Sequence, residues 1–532
     1  MSMDFSRSLP GGALPGSRMP VFGQHVVATG QPLAAQVGLE MLRCGGTAAD
    51  AAVATAAALT VVEPTANGIG SDAFAITWDG EKLHGLNASG HSPSGLNVDR
   101  IRRNGMPRTG WDTVTVPGAV SGWVSLWRAH GRLRFADLLA PAIELARNGF
   151  PVSPQCATGW KRSAAKYADF QSWVDTFTND GRTPEIGETW RLPDHARTLE
   201  AISDTEGEDF YHGELAAKIS ADAAKHGAAM TTDDLARHTT LDETPLSVPF
   251  LDVLLYELPP NGQGIAALIA AGVLHRLDPA SYDADDPQLL HLQIEAMKLG
   301  FADAAEHVAD ARHCQIDPDE LIDPARLDML ANKVDPSCAQ PFFDEAPAWS
   351  STVYLCCGDA AGRAVSFIQS NYEGFGSGIV IPGTGIAMQN RGAGFINNPG
   401  HPNDIASDKR PYHTIIPGFT TKNGTPHMAF GVMGGPMQPQ GHLQVLSRVV
   451  ASHWDPQAAI DAPRWRVEGG LNVAVEPDMP ISTCDALKTL GHAVAVAPQR
   501  DVSFGGGQAV VRVHDCWCGA SDGRRDGAAI CG

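Results

Sequence analysis

Positive charge is what this chain lacks most: 39 Lys and Arg stand against 60 Asp and Glu, a formal net charge of −21 over 532 residues. That balance excludes nucleic acid and an anionic membrane face as expected partners, because both need a basic surface. Long apolar runs are also missing. The longest, Ala51 to Val62, falls well short of the ~20 residues that span a bilayer. The opening residues Met1-Ser2-Met3-Asp4-Phe5-Ser6-Arg7 hold no apolar export core. The ten cysteines follow no framework spacing, and Cys516-Trp517-Cys518 would set both thiols on one strand face. Reduced, mostly buried thiols and a cytoplasmic location are the expectation. No His-Glu-x-x-His occurs, and no Gly-Lys-Ser/Thr follows Gly374-Phe375-Gly376-Ser377-Gly378. No metal and no cofactor is expected.

What is present is an ordinary globular composition, 43% apolar and 19% charged. Residues 1–20 are rich in Gly and Pro and read as an extended arm. Helical patterns dominate from His25 to about Pro336. Pro32 to Arg43 is amphipathic and ends near Gly45-Gly46. Thr47 and Asp50 make a capping-box-like start to an alanine-dense helix that should be buried on most sides. Asp137–Asn148, Glu214–His226 and Gln288–Ala309 are further helices. After residue 350 strands take over, at Thr352–Cys357, Ala364–Gln369, Met428–Val432, Leu471–Val475, Ala493–Ala497 and Ala509–Val513. Helices Gly441–Ser452 and Ile481–Leu490 separate some of them. A helical shell around a strand-rich centre predicts a layered α/β architecture built by both parts. Lys333–Trp349, with three prolines, reads as an exposed loop.

That loop leads to Ser351-Thr352-Val353-Tyr354. A threonine hydroxyl is a weak nucleophile unless a base removes its proton, and an N-terminal α-amine of pKa about 7.7–8.0 can do so. Thr352 lies inside the chain, so this chemistry requires a cut between Ser351 and Thr352. Val353–Cys357 and Ala364–Ile368 flank Asp359-Ala360-Ala361-Gly362-Arg363, the pattern of a three-residue hairpin loop closed by glycine. If Asp359 faces Arg363, Thr352 stands opposite Ser370. A slip of one residue would put Gln369 there. From these residues alone, an ordinary hairpin with polar ends remains open.

Over nearly its whole length the chain resembles the gamma-glutamyltranspeptidase family. The resemblance rests on Gln31-Pro32-Leu33-Ala34 through Gly45-Gly46-Thr47-Ala48-Ala49-Asp50-Ala51-Ala52 to Val62-Glu63-Pro64, then on Val116-Pro117-Gly118-Ala119 and Leu139-Ala140-Pro141-Ala142. It continues through Glu295-Ala296-Met297-Lys298, Gly376-Ser377-Gly378, Gly434-Gly435 and Gly519-Ala520-Ser521-Asp522. It implies the four-layer αββα sandwich of N-terminal-nucleophile hydrolases. It also implies a large subunit, residues 1–351, and a small subunit, residues 352–532, forming one structural domain as a heterodimer that can dimerise further. Thr352 would be the nucleophile of a threonyl acyl-enzyme, Ser370 its supporting hydroxyl, and Gly434 and Gly435 the oxyanion-hole pair. Gly434-Gly435 could equally be a tight turn. Where family members carry Thr-Thr-His at the new terminus, this chain has Thr352-Val353-Tyr354.

The substrate side departs from the family pattern. Ser89 and Gly90 replace the Arg-Glu pair that holds the glutamyl α-carboxylate. His413 and Thr414 replace the paired serines, and Gly394 replaces the aspartate that takes the α-amine. These replacements resemble the branch that contains oxamate amidohydrolase. They imply hydrolysis of a small acid amide, with water as acceptor and an open entrance between Phe395 and Lys409. Arg391 would then supply the carboxylate contact or else serve a structural ion pair, and Tyr372 and Asn390 complete the substrate-side candidates. Two alternatives remain: a γ-glutamyl hydrolase or transferase acting on glutathione-type substrates, held by Arg391 or Arg410, and an uncleaved non-catalytic binding protein.

Overall fold

The computed structural model describes residues 18–344 and 351–532. The arm expected at the N-terminus therefore lies outside the described residues except for 18–20, as do residues 345–350 of the loop before Ser351. Two seven-stranded sheets dominate. One runs in the order Val21–Gly23, Cys516–Ser521, Gly506–Val513, Thr425–Met433, Gly418–Lys422, Val253–Glu257, Leu246–Phe250. The other runs Ala528–Cys531, Val26–Thr29, Val353–Gly358, Ala364–Ser370, Asp72–Trp78, Leu83–Ala88, Leu241–Glu243. All pairings within both sheets are antiparallel.

Three cores define the layers. Phe74, Ile76, Tyr354, Ile368, Phe419 and Met433 fill the space between the sheets. On the outer face of the second sheet, Ala73, Leu355 and Phe367 meet helices Pro32–Arg43 and Ala48–Val62. On the outer face of the first, Phe430 and Val511 meet Gly264–Arg276 and Pro287–His307. The result is the expected αββα sandwich. Every residue of Ala48–Val62 is buried, and its Thr47–Asp50 capping box forms as expected. Its small side chains let the neighbouring helix come close: a Cβ on Gly38 would lie 2.2 Å from Thr55 Oγ1. Each of the two seven-stranded sheets takes strands from both sides of the Ser351–Thr352 bond, so neither half builds either of them alone.

Several expectations are corrected. Strands precede residue 350 as well, at Asp72–Trp78, Leu83–Ala88, Leu246–Phe250 and Val253–Glu257. Asp72–Trp78 is buried at all seven positions, so it carries no polar–apolar alternation. The helix expected from Gly441 begins at Met437, with a π-helical turn at Ser447–Ala451. Gly441 is not a start but a close approach, since a Cβ there would lie 2.5 Å from Val432. The strands Asn472–Val475 and Ala493–Val496 belong to a separate three-stranded sheet. The loop from Lys333 is exposed or half-buried at most of its described positions, as expected, and is tied down at a few. Ala339 N–H donates to Leu490 O, Gln340 N–H to Glu295 Oε2 at 3.0 Å, and Phe343 stacks on Phe301. Among the described residues, no helix is long and apolar enough to cross a membrane.

The deepest electrostatic feature is a fully buried ion network near the C-terminus. Asp522 accepts from Arg464 at 2.6 Å and Arg524 at 3.1 Å, and Arg524 also pairs with Glu476. Both arginines spend further donors on the carbonyls of Phe504, Ile460 and Ala462. Burial alone would push the Asp522 carboxyl up, but the two guanidinium groups outweigh it and hold it well below the ordinary carboxylate range. Its stabilisation is complete above the unfolded pKa of about 3.9 and is lost as pH falls through the lower folded value. Breaking such a pair leaves an uncompensated buried charge, so Asp522→Asn should lower unfolding free energy by about 3–5 kcal/mol. Thermal and urea unfolding of the variant checks this.

Candidate active site

The hairpin sets the geometry. Val353 pairs with Gln369 and Gly358 with Ala364. Asp359 N–H donates to Arg363 O at 3.0 Å, and Gly362 closes the loop at φ 79°. Thr352 and Ser370 follow opposite one another, and the Thr352 hydroxyl donates to Ser370 Oγ at 3.1 Å. Ser370 in turn pairs with Asp72 on the next strand. The three side chains therefore form one row across adjacent strands about 4.8 Å apart, on the face shared with Tyr354, Ile368 and Phe74 between the sheets.

Ser370 Oγ is fully used. It accepts from Thr352 Oγ and from Tyr372 N–H at 2.8 Å, and donates to the Ser351 carbonyl oxygen at 2.9 Å. One hydroxyl thus touches both the candidate nucleophile and the carbonyl of the candidate scissile bond. Ser351 N–H donates to Tyr372 O at 2.9 Å, and Tyr372 holds a left-handed φ of 74° to make these contacts. On the other side, Arg525 donates to the Thr352 carbonyl at 3.1 Å and pairs with Glu63 at 3.3 Å. Burial pushes the Glu63 carboxyl up to about 7, against the pull of Arg525.

Gly434 and Gly435 follow strand Thr425–Met433 and precede helix Met437–Leu446, with φ of 131° and 59°. The Arg525 side chain brings this end of the strand to Thr352. A Cβ on Gly506 would lie 2.7 Å from Arg525 Cγ and 3.4 Å from Met433 Sδ. Gln263 Nε2 donates to both Gly435 O, at 2.9 Å, and Thr414 O, at 2.5 Å. Thr414 Oγ1 accepts from Arg391 Nη1 at 2.8 Å. The Arg391 guanidinium lies 4.3 Å from the Tyr372 ring centroid. Contacts therefore run in a chain from Thr352 through Ser370, Tyr372, Arg391, Thr414 and Gln263 to Gly435.

Arg391 decides what this site can hold. It is wholly buried, yet Nε and Nη2 have no partner among the described residues. Burial lowers its pKa to about 10, which keeps it charged near neutrality. Among the described residues no carboxylate pairs with it, so none of them forms the structural ion pair left open above; Asp72 acts on it only through its field. Asp72 itself is held by His413 Nε2 at 3.1 Å and by Gly118 N–H at 3.2 Å. Burial raises the Asp72 carboxyl to about 7, with Arg391 and the Gly118 amide opposing it. His413 is pushed far below its ordinary value by burial and then by Arg391, so it is neutral.

Other sequence candidates are placed but spent. Ser89 Oγ donates to Asn87 Oδ1 at 2.7 Å within a buried amide cluster with Asn261. Asn390 accepts from Glu373 N–H and donates to Arg108 O. Arg410 donates to the carbonyls of Ser89 and Thr239, so it is no free anchor. A Cβ on Gly90 would lie 1.7 Å from Val116 O, and one on Gly394 2.7 Å from Tyr412 O. Neither position accepts a larger residue without backbone movement. Among the described residues the expected open entrance is not found. Thr352 and Ser370 have no accessible surface, and Phe395 and Ile405 pack with Ile101.

Sequence reasoning missed Asp72, Gln263 and Arg525. An aspartate heading the apolar run Ala73-Phe74-Ala75-Ile76 after Gly68-Ile69-Gly70-Ser71 was the available signal for the first. Among the described residues, His291, Glu295 and His492 bring ligating atoms within 4.8 Å of one another. Lys298 already places its ammonium 2.7 Å from Glu295, where a metal would compete with it.

A family profile described as Gamma-glutamyltranspeptidase matches residues 34–532. The chain is 34% identical over 519 residues to the glutathione hydrolase-like YwrD proenzyme of Bacillus subtilis, covering 95% of this chain and 98% of that one. It is 35% identical over 512 residues to the oxamate amidohydrolase proenzyme of Klebsiella pneumoniae, covering 93% and 96%. The crystal structure of a cephalosporin acylase from Bacillus halodurans matches with a TM-score of 0.93 and 43% identity over 98% of each chain.

The buried Asp72 makes a measurable prediction. With a folded pKa of about 7 against about 3.9 unfolded, the folded state holds the extra proton between those values. Stability should therefore fall as pH rises from 4 to 7. Relative to Asp72→Asn, wild type should lose roughly 2–4 kcal/mol over that window. Urea unfolding of both proteins at pH 4.5, 6 and 7.5 gives the comparison, and parallel curves would contradict it.

Proposed function

The chain belongs to the gamma-glutamyltranspeptidase family, and on that premise we propose that it is a self-cleaving amidohydrolase acting through Thr352 on a small acid amide. The observation that carries this reading is the Ser370 hydroxyl, shared between Thr352 Oγ and the Ser351 carbonyl oxygen. As Thr352 Oγ attacks the Ser351 carbonyl carbon, Ser370 accepts the threonine proton and passes its own to the carbonyl oxygen. Collapse breaks the Ser351–Thr352 C–N bond, and the Thr352 nitrogen takes the proton, leaving an ester. Water then hydrolyses the ester to a Ser351 carboxylate and a free Thr352 α-amine. The products are residues 1–351 and 352–532, which the interleaved sheets keep together.

In turnover the α-amine is the base that the hydroxyl lacked. It takes the Thr352 proton during attack on the substrate amide and returns it to the leaving nitrogen. Gly434 and Gly435, at the strand end that Arg525 links to Thr352, are the proposed oxyanion donors, a role in which one lost donor costs about 2.7–4 kcal/mol. Arg391 holds the substrate carboxylate with its two unused donors, beside the Thr414 hydroxyl and over the Tyr372 ring. Oxamate is the simplest such acid amide, and the oxamate amidohydrolase of Klebsiella pneumoniae is among the relatives.

One observation favours the γ-glutamyl alternative: Asp72 lies within the field of Arg391 and could receive an α-ammonium that Gly394 cannot. Comparing kcat/KM for oxamate and for a γ-glutamyl anilide separates the two. Oxamate should be preferred, and Arg391→Lys should raise its KM about 10- to 100-fold, the loss of a charge-assisted pair worth about 1.5–3 kcal/mol. A clear γ-glutamyl preference abolished by Asp72→Asn would establish the other reading.

Cleavage is tested separately. Wild type should run as two fragments with Thr352 as the new N-terminus. Thr352→Ala should stay whole and inactive. Ser370→Ala should cleave at least about tenfold more slowly, and Ser370→Thr should restore the rate. A wild-type chain that stays whole moves the assignment to a non-catalytic binding protein.

A further inference from the structure

The strand edge beside Thr352 is incompletely paired. Strand Val353–Gly358 has Ala364–Ser370 along one side for its whole length. On its other side Val26–Thr29 reaches only as far as Leu355, which faces Thr29. One residue on, Thr29 Oγ1 donates to Tyr354 O at 2.9 Å, and there the ladder ends. Backbone groups of alternate residues face the same edge. Ser351 N–H bonds Tyr372 O, on the side of Ala364–Ser370, so Thr352 turns its nitrogen and its carbonyl to the unpaired side. Arg525 Nη2 donates to that carbonyl at 3.1 Å, in the place the missing strand would take. Arg525 is itself held. Its N–H donates to Asp522 O at 3.3 Å, inside the buried ion network, and its guanidinium pairs with Glu63 at the end of helix Ala48–Val62.

A cut between Ser351 and Thr352 removes the other restraints. The bonds of Ser351 to Tyr372 O and to the Ser370 hydroxyl then hold the other fragment. Thr352 becomes a strand terminus, and chain ends fray unless they are tied down. Among the described contacts, Thr352 itself keeps the Ser370 hydroxyl and Arg525. We propose that Arg525 is a positioning residue for the mature nucleophile: it pins the carbonyl of the new N-terminus and sets a fixed positive charge on the same edge as the freed amine. This rests on Thr352 being the nucleophile with its α-amine as base. A guanidinium disfavours a second cation beside it, so the amine gives up its proton at lower pH and is free to act as base. Glu63 opposes this where it is ionised, with Asp526 next to it. Asp72 and Tyr372 lie across the strand beyond Ser370, and Arg162, Lys166 and Glu373 line the cavity that Arg525 and Ser351 share.

Three variants of the full chain, assayed after cleavage, separate the two effects. Arg525→Lys keeps donor and charge, Arg525→Gln keeps a donor alone, and Arg525→Met keeps neither. With oxamate, Arg525→Met should lower kcat about tenfold or more with KM within about threefold, the pattern of a misplaced reacting group. Arg525→Lys should recover most of that loss. In Arg525→Gln and Arg525→Met the acid limb of kcat/KM should move up by about half a pH unit or more, and in Arg525→Lys it should stay in place. Cyanate labelling of the Thr352 amine across pH, read by peptide mass spectrometry of the small fragment, follows the same shift without a substrate. Should Arg525→Met fail to fold, the pair of Gln and Lys variants decides by that shift. A cleaved Arg525→Gln whose amine titrates as in wild type, or an Arg525→Met with unaltered kcat, overturns the proposal while the threonyl mechanism stands. If cleaved enzyme leaves oxamate untouched, the acid-amide reading fails instead and the labelling shift alone decides the role of Arg525. A wild-type chain whose new N-terminus is not Thr352 overturns the mechanism and this role with it.

Discussion

Everything at the site depends on the register of one hairpin. The side-chain period of a strand is two, so a shift of one residue between Val353–Gly358 and Ala364–Ser370 would turn Thr352 or Ser370 to the opposite face. Asp359 fixes that register. Its carboxylate accepts from Ala361 and Arg363 N–H groups, from the Arg363 side chain and from Ala48 N–H, and its carbonyl accepts from Trp517 Nε1. A single buried residue thus ties the loop to the start of the alanine helix through its side chain and to the facing sheet through its carbonyl. Thr352, the proposed nucleophile at the far end of the strand, inherits its position from these bonds.

The site itself works by leaving selected groups unsatisfied. Ser370 is saturated and fixed, whereas two Arg391 donors have no partner among the described residues in a place with no accessible surface. An unpaired buried guanidinium costs stability that an anionic ligand would recover on binding. Asp72 could have neutralised it, but burial raises that carboxyl to about 7 and leaves it only partly ionised near neutrality. A carboxyl only partly ionised beside a charged arginine is an arrangement that leaves room for a ligand carboxylate in place of an internal ion pair. The same carboxyl, once ionised, is what would make an amine-bearing substrate welcome, so a single proton separates the two substrate classes.

The sequence disclosed what is local and concealed what is tertiary. The Thr47–Asp50 capping box, the ends of Pro32–Arg43 and the Asp359–Arg363 turn are written in residues three or four apart, and all form as read. Opposition of Thr352 and Ser370 followed by counting outward from that turn. Asp72 could not be reached this way, because its strand is buried on both faces and shows no alternation. Nor could the partners of Arg391, which come from residues 372 and 414, be told from an arginine in a structural ion pair. Gly441 misled because a glycine inside a helix, needed for contact with Val432, looks in sequence like a boundary.

Cutting and catalysis make opposite demands on the residues around Thr352, and the architecture reconciles them. In the intact chain the Ser351 carbonyl is held against the Ser370 hydroxyl, while Tyr372 of the same segment and Arg525 of another fix the backbone on either side of it. After the cut, the same place must admit substrate. Because both sheets draw strands from either side of the bond, the break relaxes only the Ser351 end and leaves the row of Thr352, Ser370 and Asp72 in its ladder. On the proposed mechanism the cut would both create the base and clear the space that Ser351 fills, so an uncut chain would be inactive for two physical reasons, a missing amine and a filled site.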